Sequence, residues 1–147
     1  MKLYHSFDHR IGFDLDKQDY ERGVFAIKPW WLEQKGFEKY DEWTPNEFGS
    51  GVVELDVNDN SRTYTTTDQL DLLEKLFPKS LNVKHIIDKY GMGNFEREDW
   101  HLMDKFIGRF LLKKGYQVIH YTNTEMYGDE WAVIRKDAIK GIRFNRN

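Results

Sequence analysis

Apolar residues follow two different spacings along this chain, and each spacing predicts one kind of element. In residues 51–57 apolar side chains alternate with acidic ones, which is typical of a strand with one buried face. Residues 23–27 form a short apolar run that predicts a buried strand, and residues 2–5 predict a short first strand. The polar residues 7–21 between them predict a loop without regular structure.

The strongest helical pattern covers residues 97–114, where apolar side chains recur three or four positions apart. The residues of this stripe are Trp100, Met103, Phe106, Ile107, Phe110 and Leu111. Gly115 follows the pattern directly, and glycine is the residue that most often ends a helix. We therefore expect one long helix with one apolar face that ends before Gly115.

Three shorter helices are predicted elsewhere. One begins at Thr67 or Asp68, either of which can cap it, and ends before Pro78. Another covers residues 83–90, and a third covers residues 29–35, beginning at a proline.

The last third of the chain predicts strands at residues 116–122, 130–135 and 141–144, with an acidic hairpin between the first two. A carboxylate at the mouth of a buried strand is costly unless the site uses it. The hairpin offers two such carboxylates, Glu125 and Glu130. Together the elements predict one mixed α/β domain over residues 1–147, of class α+β.

Composition narrows the classes of partner. The 147 residues carry a net charge of −3, so we expect no general attraction to nucleic acid or to anionic membranes. The first residues turn charged at once and no apolar run approaches the roughly 20 residues of a membrane span. We expect a cytoplasmic protein without a membrane partner. The absence of cysteine excludes disulfides and a thiol nucleophile.

Two arrangements suggest metal binding, and neither is complete. Residues 56–61 imitate the start of a calcium-binding loop, but its glycine is missing and Thr67 stands where a bidentate glutamate is needed. His5 and His9 flank Asp8, yet His5 belongs to a strand, where this spacing does not place the two imidazoles together. We therefore expect no metal.

Three short motifs, taken in chain order, resemble the ADP-ribosyltransferase fold, in its branch with a histidine, a tyrosine and a glutamate in the site. Leu3-Tyr4-His5-Ser6 is similar to the first-strand motif of that family, and Gly23-Val24-Phe25-Ala26 to its "GIYF" strand. Residues 128–134, Gly-Asp-Glu-Trp-Ala-Val-Ile, are similar to the strand that opens on the catalytic glutamate. Residues 115–140 also resemble the tail of small phage-associated transferases, including anti-CRISPR ADP-ribosyltransferases.

This resemblance implies a split central antiparallel sheet flanked by helices, with NAD as a substrate and no metal. It implies transfer of ADP-ribose to a protein target, by a phage inhibitor or a bacterial toxin acting in the host cytoplasm. The NAD-binding residues that it implies are Tyr4, His5, Ser6 and Phe25, with Trp30 or Phe37 as a second stacking aromatic; Trp31 and Tyr40 are alternatives. Phe25 stands where the family usually has tyrosine, so stacking is kept and a hydroxyl is lost.

The catalytic carboxylate stays open between two residues. Glu130 fits the polymerase-like strand pattern, whereas Glu125 fits the phage-like pattern, and we favour Glu130. Cleavage of the bond between nicotinamide and ribose passes through an oxocarbenium-like state, which a carboxylate stabilises. Asp129, beside Glu130, is expected to raise its pKa through like-charge repulsion.

Two other classes of function compete with this hypothesis. One is a catalytically inactive module of the same fold that binds a partner protein through its surface. The other is a metal-independent nuclease that uses His5 or His120 with a glutamate, which the lack of a clustered basic face disfavours.

Overall fold

The computed structural model of this chain describes residues 1–8, 10–28, 51–124 and 127–144. These residues contain seven strands and three α-helices. The strands are β1 (Lys2–Phe7), β2 (Val24–Ala26), β3 (Gly51–Val57), β4 (Thr63–Thr66), β5 (Val118–Thr124), β6 (Gly128–Val133) and β7 (Ile139–Phe144). The helices are α1 (Gln69–Leu76), α2 (Leu81–Gly91) and α3 (Arg97–Lys113), with short 3-10 helices at Leu15–Lys17 and Lys136–Ala138.

The strands form two sheets, which confirms the α+β class. The first sheet has the order β1-β3-β7 and is antiparallel throughout. The second has the order β2-β6-β5-β4, and its β4–β5 pair is parallel. The expected antiparallel arrangement is thus wrong at this edge, because the crossover through α1, α2 and α3 returns the chain in the same direction.

The second sheet is the middle layer of the molecule. Side chains alternate across it, so Val118 and Val133 pack towards the first sheet while Ile119 and Ala132 pack towards the helices. On the helix side, the buried stripe of α3 covers the sheet, with Met103, Ile107 and Leu111 at or below 1% exposure. The layers are therefore sheet, sheet and helices.

Among the described residues, an isolated backbone bridge joins the two sheets at one edge. The N–H of Tyr4 in β1 donates to the carbonyl of Ile27 at 2.8 Å, and the N–H of Ile27 donates to the carbonyl of Tyr4 at 3.0 Å. Since β2 pairs with β6, this bridge places the strands β1, β2 and β6 side by side. The glutamate at the start of β6 is thereby set close to the first strand.

The residues that flank α1 and α3 determine where these helices begin and end. The Oδ1 atom of Asp68 accepts a hydrogen bond from the N–H of Asp71 at 2.8 Å and caps α1. The α3 helix begins where the N–H of Glu96 donates to the carboxylate of Asp99 at 2.8 Å, and it ends before Gly115, whose φ is 86°. The capping predicted at Asp68 and the stop at Gly115 are confirmed.

Most element predictions are confirmed within one to three residues, and two differ. The loop of residues 7–21 contains a 3-10 turn at Leu15–Lys17, capped by Asp14. Strand β4 was not predicted. The helix expected at residues 29–35 lies outside the described residues. No helix in the described part of the chain is long and apolar enough to cross a membrane.

Candidate functional site

Glu130 points towards the helices. It lies opposite Tyr121 in the β5–β6 ladder and shares a face with Ala132, which is 1% exposed. The antiparallel pairing thus directs the glutamate side chain away from the first sheet and under α3. There the side chain is half-buried.

A cavity of about 630 Å³ opens at this glutamate. Its described lining comes from the start of α1, the end of α2, the first half of α3 and the β5–β6 hairpin. The lining residues are Asp68, Gln69, Leu70, Tyr90, Trp100, Asn123, Thr124 and Glu130. A volume in this range suits a small organic ligand or one large side chain.

Aromatic rings form one wall of this cavity. The rings of Tyr90 and Trp100 meet edge to face, with centroids 5.8 Å apart, and Phe95 packs edge to face on both at 5.6 and 5.1 Å. Edge-to-face contacts among three rings stabilise the fold by more than the burial of their apolar area alone. They also hold Trp100 in a fixed orientation. The wall therefore presents a rigid indole to the cavity.

Burial raises the pKa of Glu130 to about 7. The side chain of Thr124 opposes this shift by a polar contact with the ionised form. Asp129 lies on the opposite face, where its Oδ1 atom is 2.8 Å from the Nε2 atom of His120. The pKa of Glu130 is therefore raised by desolvation against the helices and not by the expected repulsion from Asp129.

A second carboxylate, on α3, is buried and feels the charge of Glu130. Asp104 is only 7% exposed, and its Oδ1 atom has no hydrogen-bond partner among the described residues. Burial raises its pKa to about 8, the charge of Glu130 adds to this shift, and Arg22 and the Gln69 side chain oppose it. Asp104 also lies one helical turn after Trp100, on the same face.

The buried tyrosine of β5 completes this cluster. Tyr121 is 1% exposed, and its pKa is raised first by burial and then by Asp104, Glu130 and Asp68. Its ring stacks on Phe25 of β2, with centroids 6.3 Å apart. Phe25 is thus half-buried in the helix-side core.

His5 of β1 reaches across to β2. Its Nδ1 atom lies 2.6 Å from the carbonyl oxygen of Phe25, which can only accept, so Nδ1 carries the proton. Burial lowers the pKa of His5, and Arg22 lowers it further, whereas the bond to Phe25 raises it. A neutral His5 therefore presents Nε2 as a hydrogen-bond acceptor.

Tyr4 is held by structural contacts. Its hydroxyl donates to Glu54 at 3.1 Å, and its backbone N–H and carbonyl both bond Ile27. Backbone groups along a strand point alternately to its two sides, so those of Ser6 point to the same side as those of Tyr4. Beyond the isolated bridge, Ser6 lies where β1 and β2 separate.

The structure brings the three motif strands together. Because Ala26 pairs with Trp131, the next residue, Ile27, comes level with Glu130, and Ile27 is bridged to Tyr4. Two strand spacings thus separate the backbones of Tyr4 and Glu130, roughly 10 Å. Tyr4, His5, Ser6 and Phe25 are not among the described residues that line the cavity.

Several predicted residues lie outside the described part of the chain. They are the alternative acid and the candidates for the second stacking aromatic: Glu125, Trp30, Trp31, Phe37 and Tyr40. His9 lies outside it as well. No group of three or more metal-ligating side chains that could hold an ion occurs within residues 1–8, 10–28, 51–124 and 127–144.

Sequence reasoning missed most of the cavity. The sequence pattern places Trp100 in the apolar stripe of α3 and Asp68 only at a helix cap, yet both line the cavity. Asp104 had a visible signal, because it interrupts the buried face of an amphipathic helix between Met103 and Ile107. Tyr90 and Asn123 carried no such signal.

Comparison with known proteins gives a similarity in fold and no match in sequence. No family model matches the chain, and no curated protein matches it in sequence. The fold is similar to the crystal structure of an anti-CRISPR protein, with a TM-score of 0.49 and 12% sequence identity, over 98% of this chain and 94% of that chain.

Proposed function

We propose that this chain is an NAD-dependent mono-ADP-ribosyltransferase that modifies a protein, with Glu130 as its catalytic carboxylate. One observation supports this most: motifs far apart in sequence, at residues 3–6, 23–26 and 128–134, form the neighbouring strands β1, β2 and β6. The motif resemblance further implies a phage inhibitor, of the anti-CRISPR kind, as the setting.

The reaction breaks the bond between the ribose C1′ atom and the nicotinamide nitrogen. The electron pair of that bond leaves with nicotinamide, positive charge develops on C1′, and the acceptor atom of the target bonds to C1′ and loses a proton. An ionised Glu130 stabilises the developing charge, in a half-buried position where its electrostatic effect exceeds that in water.

The residues of β1 and β2 suit the remaining parts of NAD. The Nε2 atom of a neutral His5 can accept a hydrogen bond from a ribose hydroxyl. In this proposal the backbone groups of Ser6, where the two strands separate, bond the carboxamide of nicotinamide. The aromatic face of Phe25 or Trp100 can stack on the flat nicotinamide cation, a contact worth roughly 0.5–2 kcal/mol.

Release of nicotinamide from NAD tests this function. The wild-type chain is incubated with NAD, with and without a lysate that contains target proteins, and free nicotinamide is measured. We expect release that Glu130→Gln reduces by about two to three orders of magnitude, since the loss of one charge-stabilising group has that effect. Asp129→Asn, which removes the same charge one residue away on the opposite face, is the matched control and should keep near-normal release.

The same assay separates the two candidate glutamates and the competing hypothesis. If Glu125→Gln abolishes release and Glu130→Gln does not, the catalytic assignment moves to Glu125. If the wild-type chain releases no nicotinamide under either condition but binds a lysate protein independently of NAD, the chain is a binding module and the proposed function is wrong.

A further inference from the structure

A bulge in β5 changes which side chains of that strand face Glu130. In the β5–β6 ladder Tyr121 lies opposite Glu130 and Thr124 lies opposite Gly128, with a shift of register between the two pairs. Two residues separate Tyr121 from Thr124 on β5, whereas one residue separates Gly128 from Glu130 on β6. The strand β5 therefore carries one extra residue at this point, which makes it a β-bulge.

The extra residue turns Thr124 towards the cavity. In a regular strand, residues three positions apart point to opposite faces, so Thr124 would point away from the face of Tyr121. Directly opposed residues of an antiparallel pair share a face, and so do Gly128 and Glu130, which are two apart on β6. Thr124 therefore lies on the face of Glu130, and both residues line the same cavity.

Contacts with the end of β4 and the residue after it hold the bulge. The backbone N–H of Asn123 donates to the carbonyl of Thr67 at 2.9 Å. The hydroxyl of Thr122 donates to the carbonyl of Thr66 at 3.1 Å. Since Thr122 and Asn123 are the residues of the bulge, structure outside the hairpin fixes the direction of the side chain that follows them.

The hydroxyl of Thr124 has one proton to donate, and Glu130 is placed to accept it. The Oγ1 atom of Thr124 accepts from the backbone N–H of Tyr127 at 3.4 Å, and this leaves the hydroxyl proton for a second partner. Diagonal neighbours across an antiparallel pair lie about 7–8 Å apart, a distance that a long side chain such as glutamate spans. The side chain of Thr124 stabilises the ionised form of Glu130 and so opposes the effect of burial on its pKa.

Several titratable groups face Glu130 from the surrounding elements. The charge of Glu130 raises the pKa values of Asp104 on α3 and Tyr121 on β5, and Asp68 lines the same cavity at the start of α1. Lysine and arginine do not occur in the described lining, so no cation there balances the carboxylate. A neutral hydroxyl that donates to Glu130 is therefore the contact that favours its ionised form.

We propose that Thr124 is a positioning residue of the reaction, whose hydroxyl holds the Glu130 carboxylate facing the cavity. A carboxylate has two oxygens, so one accepts from Thr124 while the other faces the substrate. The inference rests on the proposed function, because it assigns a supporting residue to the carboxylate of that same reaction. The contact itself requires no NAD, so it is measured separately from nicotinamide release.

The ionisation of Glu130 tests the contact on the full chain without NAD. Its carboxyl carbon is followed by NMR against pH, and the signal is identified from its loss in Glu130→Gln. The pKa is about 7 in the wild type, and Thr124→Val should raise it by roughly one pH unit or more, since a hydrogen bond to a charged group is lost. Thr124→Ser keeps the hydroxyl and should restore the wild-type pKa. Thr124→Ala gives the same comparison as Thr124→Val without the added methyl group, should the valine variant fail to fold.

The matched control is Thr63→Val. It removes a hydroxyl that donates to the Ser61 carbonyl at an exposed position of β4, and it should leave the pKa of Glu130 unchanged.

The kinetics of nicotinamide release separate positioning from ionisation. At about pH 9, where most of Glu130 is ionised in either form, Thr124→Val should lower kcat about tenfold because the carboxylate is no longer held in place. KM should change less than about twofold, since Thr124 acts through Glu130 and not on NAD. Thr124→Ser should recover most of kcat, and Thr63→Val should keep both constants.

Three results would overturn the inference. They are a pKa of Glu130 that Thr124→Val leaves unchanged, equal changes of this pKa in Thr124→Val and Thr63→Val, and an unchanged kcat of Thr124→Val at about pH 9. Each of them leaves nicotinamide release by the wild type intact, so the proposed function would stand. Conversely, if the wild type never releases nicotinamide while Thr124→Val still raises the pKa of Glu130, the contact exists and the proposed function is what fails.

Discussion

Glu130 and Asp104 show how the environment, rather than sequence neighbours, sets the ionisation of a carboxylate. Asp129 is adjacent to Glu130 in sequence, but strand alternation places it on the other face with His120. Asp104 is distant from Glu130 in sequence, yet the charge of Glu130 helps to raise the pKa of Asp104. Two carboxylates that share one buried region resist full ionisation near neutral pH.

The pH dependence of nicotinamide release follows from the ionisation of Glu130. The pKa of this carboxyl is about 7, and the ionised form stabilises the developing positive charge. Release should therefore rise by about tenfold per pH unit well below the pKa and level off above it. A pH profile of the wild type at NAD concentrations well below KM, which reports ionisation of the free chain, measures this; a flat profile between about pH 5 and pH 8 would rule out this role for Glu130.

Asp104 should make the protein less stable as the pH rises. Its pKa is about 8 in the folded chain against an ordinary value of 3.8, so the folded state keeps a proton that the unfolded state releases. The resulting loss in the free energy of unfolding is absent below about pH 4, grows between about pH 4 and pH 8, and is constant above that.

Asp104→Asn removes this cost. Urea unfolding at about pH 4.5 and about pH 7.5 should show that the stability advantage of the variant over the wild type grows by roughly 2–4 kcal/mol at the higher pH. Asp137→Asn, which changes an exposed carboxylate on the 3-10 turn before β7, should show no comparable growth. An advantage of Asp104→Asn that is independent of pH contradicts the assignment of a buried, protonated carboxyl.

At the scale of elements, α3 packs closely against the backbone of the turn before β2. Gly108 is buried on α3 in contact with this turn, and a Cβ atom there would lie 1.8 Å from the carbonyl oxygen of Glu21. The Glu21 carbonyl belongs to the backbone, so it cannot move away from an added Cβ atom unless the whole turn shifts. The helix therefore needs glycine at this position despite its low helix propensity.

Gly108→Ala should accordingly destabilise the fold. We expect a loss of roughly 1–3 kcal/mol or more in the free energy of unfolding, as overpacking of a core does. Gly91→Ala is the matched control, since Gly91 is also helical and a Cβ there meets nothing within 4 Å. The control should be neutral or raise stability by up to about 1 kcal/mol. Equal effects of the two substitutions would contradict the close approach of α3 to Glu21.

The sequence could predict elements whose own residues determine them. The helix α3, the cap at Asp68 and the strand β3 all depend on local chemistry, and all three are confirmed. Two details differ: Phe106 of the predicted stripe is exposed, and β3 is buried on both faces, including Glu54, rather than on one. Strand β4, Thr-Tyr-Thr-Thr, has no apolar run; its strand conformation depends on parallel pairing with β5, more than fifty residues later. That pairing is a tertiary effect that no local pattern contains.

Part of the candidate site could likewise be predicted from the sequence, and part could not. The sequence indicates Glu130 because a carboxylate stands at the start of an apolar strand. It indicates β1, β2 and β6 because their motifs resemble those of the ADP-ribosyltransferase fold. The cavity around Glu130 is formed by ends of α1, α2 and α3 that meet only in the folded chain. Tyr90 becomes a wall residue because Trp100 and Phe95 pack against it, and that packing cannot be read from Tyr90 itself.

At the scale of the whole molecule, a buried carboxylate links the three strands of the first sheet. Glu54 is 4% exposed in the central strand β3, and it accepts hydrogen bonds from Tyr4 and Arg143 at 3.1 and 3.0 Å. Burial alone would raise its pKa, but these bonds and one from Lys2 outweigh burial and hold the pKa below its usual value. The same Tyr4 bridges to Ile27 of the second sheet.

Tyr4→Phe should therefore affect stability rather than chemistry. Removing the hydroxyl leaves a buried carboxylate with one bond fewer, and we expect a loss of roughly 1–3 kcal/mol with nicotinamide release unchanged. Tyr64→Phe, at a half-buried ring packed on Tyr116, should change stability by less than about 0.5 kcal/mol. A large fall in nicotinamide release in a folded Tyr4→Phe protein would instead place this hydroxyl in the reaction.

The measurement that tests the central claim most directly is labelling of proteins in a target lysate by tagged NAD, compared among three forms of the chain. We expect labelling of a target by the wild type and by Asp129→Asn, and its loss in Glu130→Gln, with circular dichroism showing that all three are folded. Labelling that survives in Glu130→Gln, or that is absent from the folded wild type in a lysate containing its target, would contradict the account.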